Sequence, residues 1–156
     1  MSDRTIELST ETEAPPDAVF RALVDPDELV RWFPSRAESD ARSGGAFEYA
    51  YEFEQDPSRN HTYSGEYRDV TPGERVSYPW NGKLGTTEVE FRLDPVNGGT
   101  RVTLAHSGWG TGADWDESLE LHRQGWGFFL GNLKAYLEGG ADQRGAAMGM
   151  KTPATV

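Results

Sequence analysis

The stretch DWDESLELHRQGWGFFLGNLKAYLE, residues 114–138, decides the fold of this chain. A stripe of mostly apolar side chains recurs in it at steps of three and four residues, which is the spacing of one face of an α-helix. Two glycines follow at 139 and 140, as is typical of a helix C-terminus. The pattern therefore predicts one long amphipathic helix. Its stripe consists of Trp115, Leu119, His122, Trp126, Phe129, Leu130, Leu133 and Leu137.

The residues before this helix alternate between apolar and polar with a period of two, which is typical of strands that bury one face. One strand is predicted over residues 63–70. Asn81-Gly82 and Asn97-Gly98 are turn signals that separate the later strands. The clearest strand carries four aromatic residues at alternate positions, Phe47, Tyr49, Tyr51 and Phe53.

The order of elements is one strand, two short helices, about six further strands and the long helix. The short helices are predicted at residues 16–24 and just after Pro26. Consecutive hairpins make an antiparallel sheet, and a sheet of six or seven strands must twist and curl. We expect an α+β domain over residues 1–140 in which the sheet and the long helix enclose an apolar cavity. Residues 141–156 are rich in small residues, and we expect them to form a disordered tail.

Composition excludes several classes of function. The 156 residues contain no cysteine, so disulfides, cysteine zinc sites and thiolate nucleophiles are absent. The formal net charge of −11 disfavours nucleic acid and anionic membrane surfaces as partners. No apolar run is long enough to span a bilayer, and the polar N-terminus does not resemble a secretory signal. We expect a soluble, cytoplasmic protein without a metal or another cofactor.

Five motifs occur in a characteristic order along the chain. They are TETEAPPDAVFRALVDPDELVRWF (10–33), SGGAFEY (43–49), GEYRDVTPGERVSYPW (65–80), NGGTRVTLAHSGW (97–109) and QGWGFFLGNLKAYLE (124–138). Together they resemble the START-like (SRPBCC) superfamily, and within it the branch similar to the C-terminal domain of the activator of the heat-shock-protein-90 ATPase. The resemblance covers about residues 4–138. It implies a helix-grip fold with a cavity between sheet and helix, but it implies no single activity.

Aromatic side chains are the candidate wall of this cavity, since they offer large apolar surfaces and tyrosine and tryptophan add a polar group that can orient a ligand. The competing interpretation is that each of them only fills the core. Phe53 follows Phe47, Tyr49 and Tyr51 at the next alternate position, so it is predicted to face the interior with them. The candidate ligand-binding residues are Trp32, Phe33, Phe47, Tyr49, Tyr51, Tyr63, Tyr78, Trp80, Phe91, His106, Trp109, His122, Trp126 and Phe129.

Two histidines are the candidate catalytic residues. His106 lies on the apolar parity of the last strand, and His122 lies on the apolar stripe of the long helix. With a nearby tyrosine they could perform general acid–base chemistry, although hydrogen-bonded structural histidines at the cavity rim are the favoured interpretation. His61 is expected in a solvated turn. The glycine-rich loop at residues 108–112 is interpreted as a gate to the cavity.

Three functions remain open at this point. The first is a protein that carries or sequesters an apolar, aromatic or lipid-like small molecule, and it is favoured because no nucleophile stands out. The second is an enzyme of the polyketide cyclase or hydrolase type that uses histidine and tyrosine. The third is a co-chaperone-like interaction protein with a chaperone partner. The chain is expected to be a monomer or a homodimer.

Overall fold

The computed structural model describes residues 4–152 and confirms the α+β class. Eight strands and four α-helices occur in this range, together with a 3₁₀ turn at Pro57–Arg59. All strand pairs are antiparallel. The elements are β1 Ile6–Thr12, α1 Pro16–Val24, α2 Pro26–Leu29, β2 Arg36–Ser39, β3 Ala46–Tyr51, β4 His61–Glu66, β5 Asp69–Thr71, β6 Arg75–Gly82, β7 Gly85–Val96, β8 Gly99–Ser107, α3 Ala113–Leu137 and α4 Arg144–Met148.

The strands form two sheets rather than the single sheet of six or seven strands that we expected. One has the order β1-β8-β7-β6-β5 and the other the order β2-β3-β4. The strand predicted over residues 63–70 is divided, so that β4 pairs with β3 and β5 pairs with β6. Where β4 approaches β6, Pro79 lies against Gly65, and proline has no N–H to donate to a ladder.

The two short helices lie where the sequence predicts them. Proline occupies the first helical turn of both, where its missing N–H costs no hydrogen bond. The carboxylate of Asp25 accepts a hydrogen bond from the Asp27 amide at 2.9 Å and caps the N-terminus of α2. The indole of Trp32 donates to the Ala22 carbonyl at 2.8 Å, which fixes the chain after α2 against α1.

The long helix α3 begins and ends one residue before the predicted bounds. Its buried face includes Leu119, Trp126, Leu130 and Leu133, as the stripe predicts. Gly139 follows it with a φ of +80°, a conformation that favours glycine at a helix end. Within residues 4–152, no helix has the length and apolarity that crossing a bilayer requires.

One hairpin turn lies two residues later than its sequence signal. The predicted turn at Asn81-Gly82 belongs to β6, whose Gly82 pairs with Gly85 across a loop formed by Lys83 and Leu84. The Asn97-Gly98 turn is found where predicted, and both residues have positive φ values of 48° and 82°. Glycine on both sides of the Lys83-Leu84 loop explains the shift, because Gly85 has a φ of +146° that other residues rarely adopt.

The prediction of a disordered tail from residue 141 is wrong for residues 141–152. This part of the chain, which we call the C-terminal segment, contains α4 and packs on the domain. Arg144 is fully buried, and its guanidinium donates hydrogen bonds to the carbonyls of Val30, Phe33 and Pro34. The sequence does not predict these hydrogen bonds, because the three carbonyls lie more than one hundred residues earlier in the chain. Residues 153–156 lie outside the described range.

Candidate functional site

A cavity of about 370 Å³ lies between one end of the sheets and α3. Strands β3, β4 and β6 supply one side of it, α3 supplies the opposite side, and the C-terminal segment contributes a further part of the wall. Its volume is within the range of small-molecule sites. The lining residues are Phe33, Tyr51, Phe53, Arg59, His61, Tyr63, Trp80, Leu121, His122, Gly125, Trp126, Phe129, Met148 and Met150.

Half of the predicted site residues lie in this wall, and Phe53 joins them. The predicted residues in the wall are Phe33, Tyr51, Tyr63, Trp80, His122, Trp126 and Phe129. The other seven do not line the cavity: Trp32, Phe47, Tyr49, Tyr78, Phe91, His106 and Trp109. Most of these pack in the core, where neighbouring rings fill the space around them, as the competing interpretation holds. Inward parity alone does not separate the two groups, because both face the interior.

The aromatic wall is held by ring contacts. Tyr63 stacks on Trp80 with ring centroids 3.8 Å apart and an interplanar angle of 25°. Trp80 and Trp126 approach to 5.3 Å from opposite sides, one from β6 and one from α3. Phe33 contacts both Trp126 and Phe129, with ring centroids 5.3 Å and 5.0 Å away. Such contacts fix the orientations of the rings and leave a preformed apolar surface.

His122 lies in the wall with both ring nitrogens engaged. Its Nε2 accepts a hydrogen bond from the Trp80 indole at 3.1 Å, and its Nδ1 donates to the Ser118 carbonyl at 2.8 Å. This pattern selects the neutral tautomer with the proton on Nδ1. Burial lowers the pKa of His122, although the hydrogen bond to the Ser118 carbonyl opposes the shift.

His106 is fully buried and is not part of the wall. Its Nδ1 accepts from the Trp126 indole at 2.9 Å, and its Nε2 lies 2.6 Å from the Thr87 hydroxyl, to which it donates. Burial, with a smaller contribution from the neighbouring His122, lowers the pKa of His106 from 6.5 to about 3. The two imidazole rings are 5.6 Å apart, yet neither has a free nitrogen for proton transfer.

The tyrosine hydroxyls of the interior differ in their partners. Those of Tyr49 and Tyr67 are 2.6 Å apart, and the Tyr67 hydroxyl also meets that of Ser39 at 2.7 Å. The hydroxyl of Tyr51 is buried and finds no hydrogen-bond partner within residues 4–152. Burial raises the pKa of Tyr51 well above its usual value, so the phenol stays neutral. A buried polar group without a partner is uncommon, and here it belongs to a residue of the cavity wall.

Sequence reasoning missed several residues of the wall. His61 is exposed, as expected, but it begins β4 rather than lying in a turn, and its ring stacks on Tyr51 at 4.9 Å while its Nδ1 contacts the Arg59 carbonyl. The guanidinium of Arg59 lies 4.2 Å from the ring centre of Phe53. The alternation of aromatic residues on β3 is the sequence signal that could have located this part of the cavity wall. Met148 and Met150 come from the segment that was expected to be disordered.

The glycine-rich loop at residues 108–112 contributes no residue to the cavity wall. The Trp109 indole donates to the His106 carbonyl at 2.9 Å, and Arg4 donates to the Gly110 carbonyl and pairs with Asp116. These contacts fix the loop beside the core, so the structure gives no support to its interpretation as a gate. No group of three or more metal-binding side chains occurs among residues 4–152.

Solved structures share this architecture. Protein CV1439 from Chromobacterium violaceum is 28% identical, with a TM-score of 0.72 over 86% of this chain and 97% of that one. MLL2253 from Mesorhizobium loti is 22% identical, with a TM-score of 0.73 over 86% and 96%. The Aha1 dimer from Colwellia psychrerythraea is 23% identical, with a TM-score of 0.69 over 86% and 96%. No curated protein matches the chain.

The family model described as Activator of Hsp90 ATPase homolog 1-like protein matches residues 13–138. The match begins just before α1 and ends just after α3, so it includes both sheets except for β1. It agrees with the resemblance that the five sequence motifs carry. The chain therefore belongs to the family of Activator of Hsp90 ATPase homolog 1-like proteins, within the START-like superfamily.

Proposed function

We propose that the protein binds an apolar small molecule, aromatic or lipid-like, in the cavity between the sheets and α3. The observation that carries the proposal is the wall itself, in which aromatic rings and two methionines surround about 370 Å³. Apolar walls with a few polar groups are typical of small-molecule sites. The polar groups among the lining residues include the His122–Trp80 pair, the His61 ring and the Arg59 guanidinium.

The state of the histidines favours binding over acid–base catalysis. A general base needs a free nitrogen within reach of the substrate and a pKa near the working pH. His106 has neither, since both its nitrogens are engaged and its pKa is about 3. His122 would have to give up the hydrogen bond that its Nε2 accepts from Trp80 before that nitrogen could accept a proton.

Indole resonances test the proposal with an internal control. Trp80 and Trp126 lie in the wall, whereas Trp32 is buried elsewhere with its N–H on the Ala22 carbonyl. Titration with the neutral probe N-phenyl-1-naphthylamine should shift the indole signals of Trp80 and Trp126 and leave that of Trp32 in place. If no indole signal moves at millimolar probe, or if only Trp32 moves, the proposal is wrong.

A chaperone partner is the second candidate, and it is favoured by the description of the family model alone. Stimulation of the ATPase of an Hsp90 homologue by the purified protein would support it. A variant with a filled cavity, Gly125→Leu, separates the two functions because Gly125 lines the cavity and has open space beside it. We expect this variant to lose probe binding while any effect on the chaperone persists.

A further inference from the structure

Two methionines of the C-terminal segment complete the cavity wall. Met148 and Met150 line the cavity together with the aromatic residues, and only 1% of Met150 is exposed. The family model ends at residue 138, so this part of the wall comes from outside the region that the family shares. The contribution of the two methionines to the wall therefore does not follow from membership of the family.

The end of the segment is fixed to the chain that follows β3. Met150 pairs with Phe53 in an antiparallel bridge. The Lys151 amide donates to the Glu52 carbonyl at 2.8 Å, and the Glu54 amide donates to the Gly149 carbonyl at 3.0 Å. Hydrogen bonds on both sides of the bridge place the side chain of Met150 at a defined position in the wall.

The beginning of the segment is fixed to α3 and to the loop after α2. Asn132 of α3 donates to the Asp142 carboxylate at 3.1 Å and to the Trp32 carbonyl at 2.9 Å. The amide of Gln143 donates back to the Asn132 side chain at 3.0 Å. The guanidinium of Arg144 binds the Asp142 carboxylate as well as the three carbonyls named above. Both ends of the segment are thus held by specific polar contacts.

We propose that Met148 and Met150 determine which molecules the cavity accepts. Methionine is unbranched and polarizable, so it adapts to aromatic rings and hydrocarbon chains alike. Met150, which is bridged to Phe53 and buried, sets the length of an apolar ligand, and the half-buried Met148 contacts the ligand nearer the surface. This inference rests on the binding function proposed above.

Competition with a homologous series of ligands tests the inference. 1-Hexanol and 1-decanol displace N-phenyl-1-naphthylamine from the wild type and from Met150→Ala, and the ratio of their dissociation constants is measured by fluorescence. The substitution removes three side-chain atoms and makes room for a longer chain. Each additional methylene that is buried strengthens binding about fourfold. We expect the ratio to change by about 4- to 16-fold in favour of 1-decanol.

Leu93→Ala is the matched control, because Leu93 is buried in β7 and does not line the cavity. It should leave the ratio unchanged, and an equal change in this variant would overturn the inference. An unchanged ratio in Met150→Ala, with the probe still bound, overturns the inference and leaves the proposed function standing. Failure of the wild type to bind the probe or either alcohol overturns both. If Met150→Ala does not fold, the half-buried Met148→Ala must show the same direction of change.

Discussion

The packed region around Tyr49 and His106 and the open region around Tyr51 and His122 contain the same kinds of side chain. Tyr49 and Tyr51 are two residues apart on β3 and face the same interior. The Tyr49 hydroxyl has a partner 2.6 Å away, whereas that of Tyr51 has none within the described residues. Identical residue types on one strand therefore end in different environments.

His106 and His122 also have similar hydrogen bonds but different surroundings. Each accepts a hydrogen bond from a tryptophan indole, His106 from Trp126 and His122 from Trp80. His106 is fully buried, while His122 is half-buried in the cavity wall. In the packed region the polar side chains form hydrogen bonds with one another, and these bonds stabilise the fold. The open region borders about 370 Å³ of empty volume, which is a feature of a surface that can receive a ligand.

The largest effect is expected from the packed region, through the pH dependence of stability. The pKa of His106 is lowered from 6.5 to about 3 in the folded state. Between these values the unfolded state binds more protons, so His106 stabilises the fold above pH 6.5 and this contribution is lost as the pH falls towards 3. The full loss amounts to about 4–5 kcal/mol. Urea unfolding between pH 7 and 4 measures the larger part of this loss, about 3 kcal/mol.

His106→Gln provides the comparison, because glutamine does not titrate. Its unfolding free energy should fall less steeply with decreasing pH than that of the wild type, by at most about 1.4 kcal/mol per pH unit. The half-buried His122, whose pKa is lowered for the same reason, should give a smaller reduction of the slope in His122→Gln. Parallel slopes for the wild type and His106→Gln would contradict the burial of an uncharged His106.

The second-largest loss of stability is expected from a substitution of Arg144, which holds the C-terminal segment beside the cavity. Arg144→Met removes the donor to the carbonyls of Val30, Phe33 and Pro34 and leaves the Asp142 carboxylate without its arginine. Loss of one partner from a buried charged cluster destabilises by about 3 kcal/mol. Urea unfolding gives this value, and hydrogen exchange of the Lys151 amide should accelerate.

The matched variant is Arg123→Met on α3, where the half-buried side chain pairs with Glu120. It should change the free energy of unfolding by less than about 0.5 kcal/mol. Equal effects of the two substitutions would show that Arg144 does not anchor the C-terminal segment.

Periodicity was sufficient to predict the fold class, α1 and α3, because each of these depends on local pattern. The stripe in α3 placed its ends within one residue. The division into two sheets was not predictable in the same way, since it depends on Pro79 lying against Gly65 from another strand. The order of residues 141–152 depends on Arg144 reaching carbonyls more than one hundred positions earlier in the chain.

The cavity wall was predicted only in part, for a geometric reason. Inward parity identifies residues that face the interior, but it does not indicate where rings meet and where they leave space. Phe47 and Tyr78 touch with centroids 5.1 Å apart, whereas Tyr51 of the same strand as Phe47 borders the cavity. That distinction arises from the curvature of the sheets and the position of α3.

The smallest effect tests the comparison most directly, through Tyr49→Phe and Tyr51→Phe. The first removes a hydroxyl that is hydrogen-bonded to Tyr67, so it should destabilise the protein by about 1 kcal/mol. The second removes a buried hydroxyl without a partner, so stability should stay the same or rise by up to about 1 kcal/mol. Both variants lose one oxygen atom from β3, which makes each the control for the other. Urea unfolding of the two proteins at pH 7 measures the difference. A loss of stability in Tyr51→Phe as large as that in Tyr49→Phe would mean that Tyr51 has a partner, and the distinction between the two regions would fail at that residue.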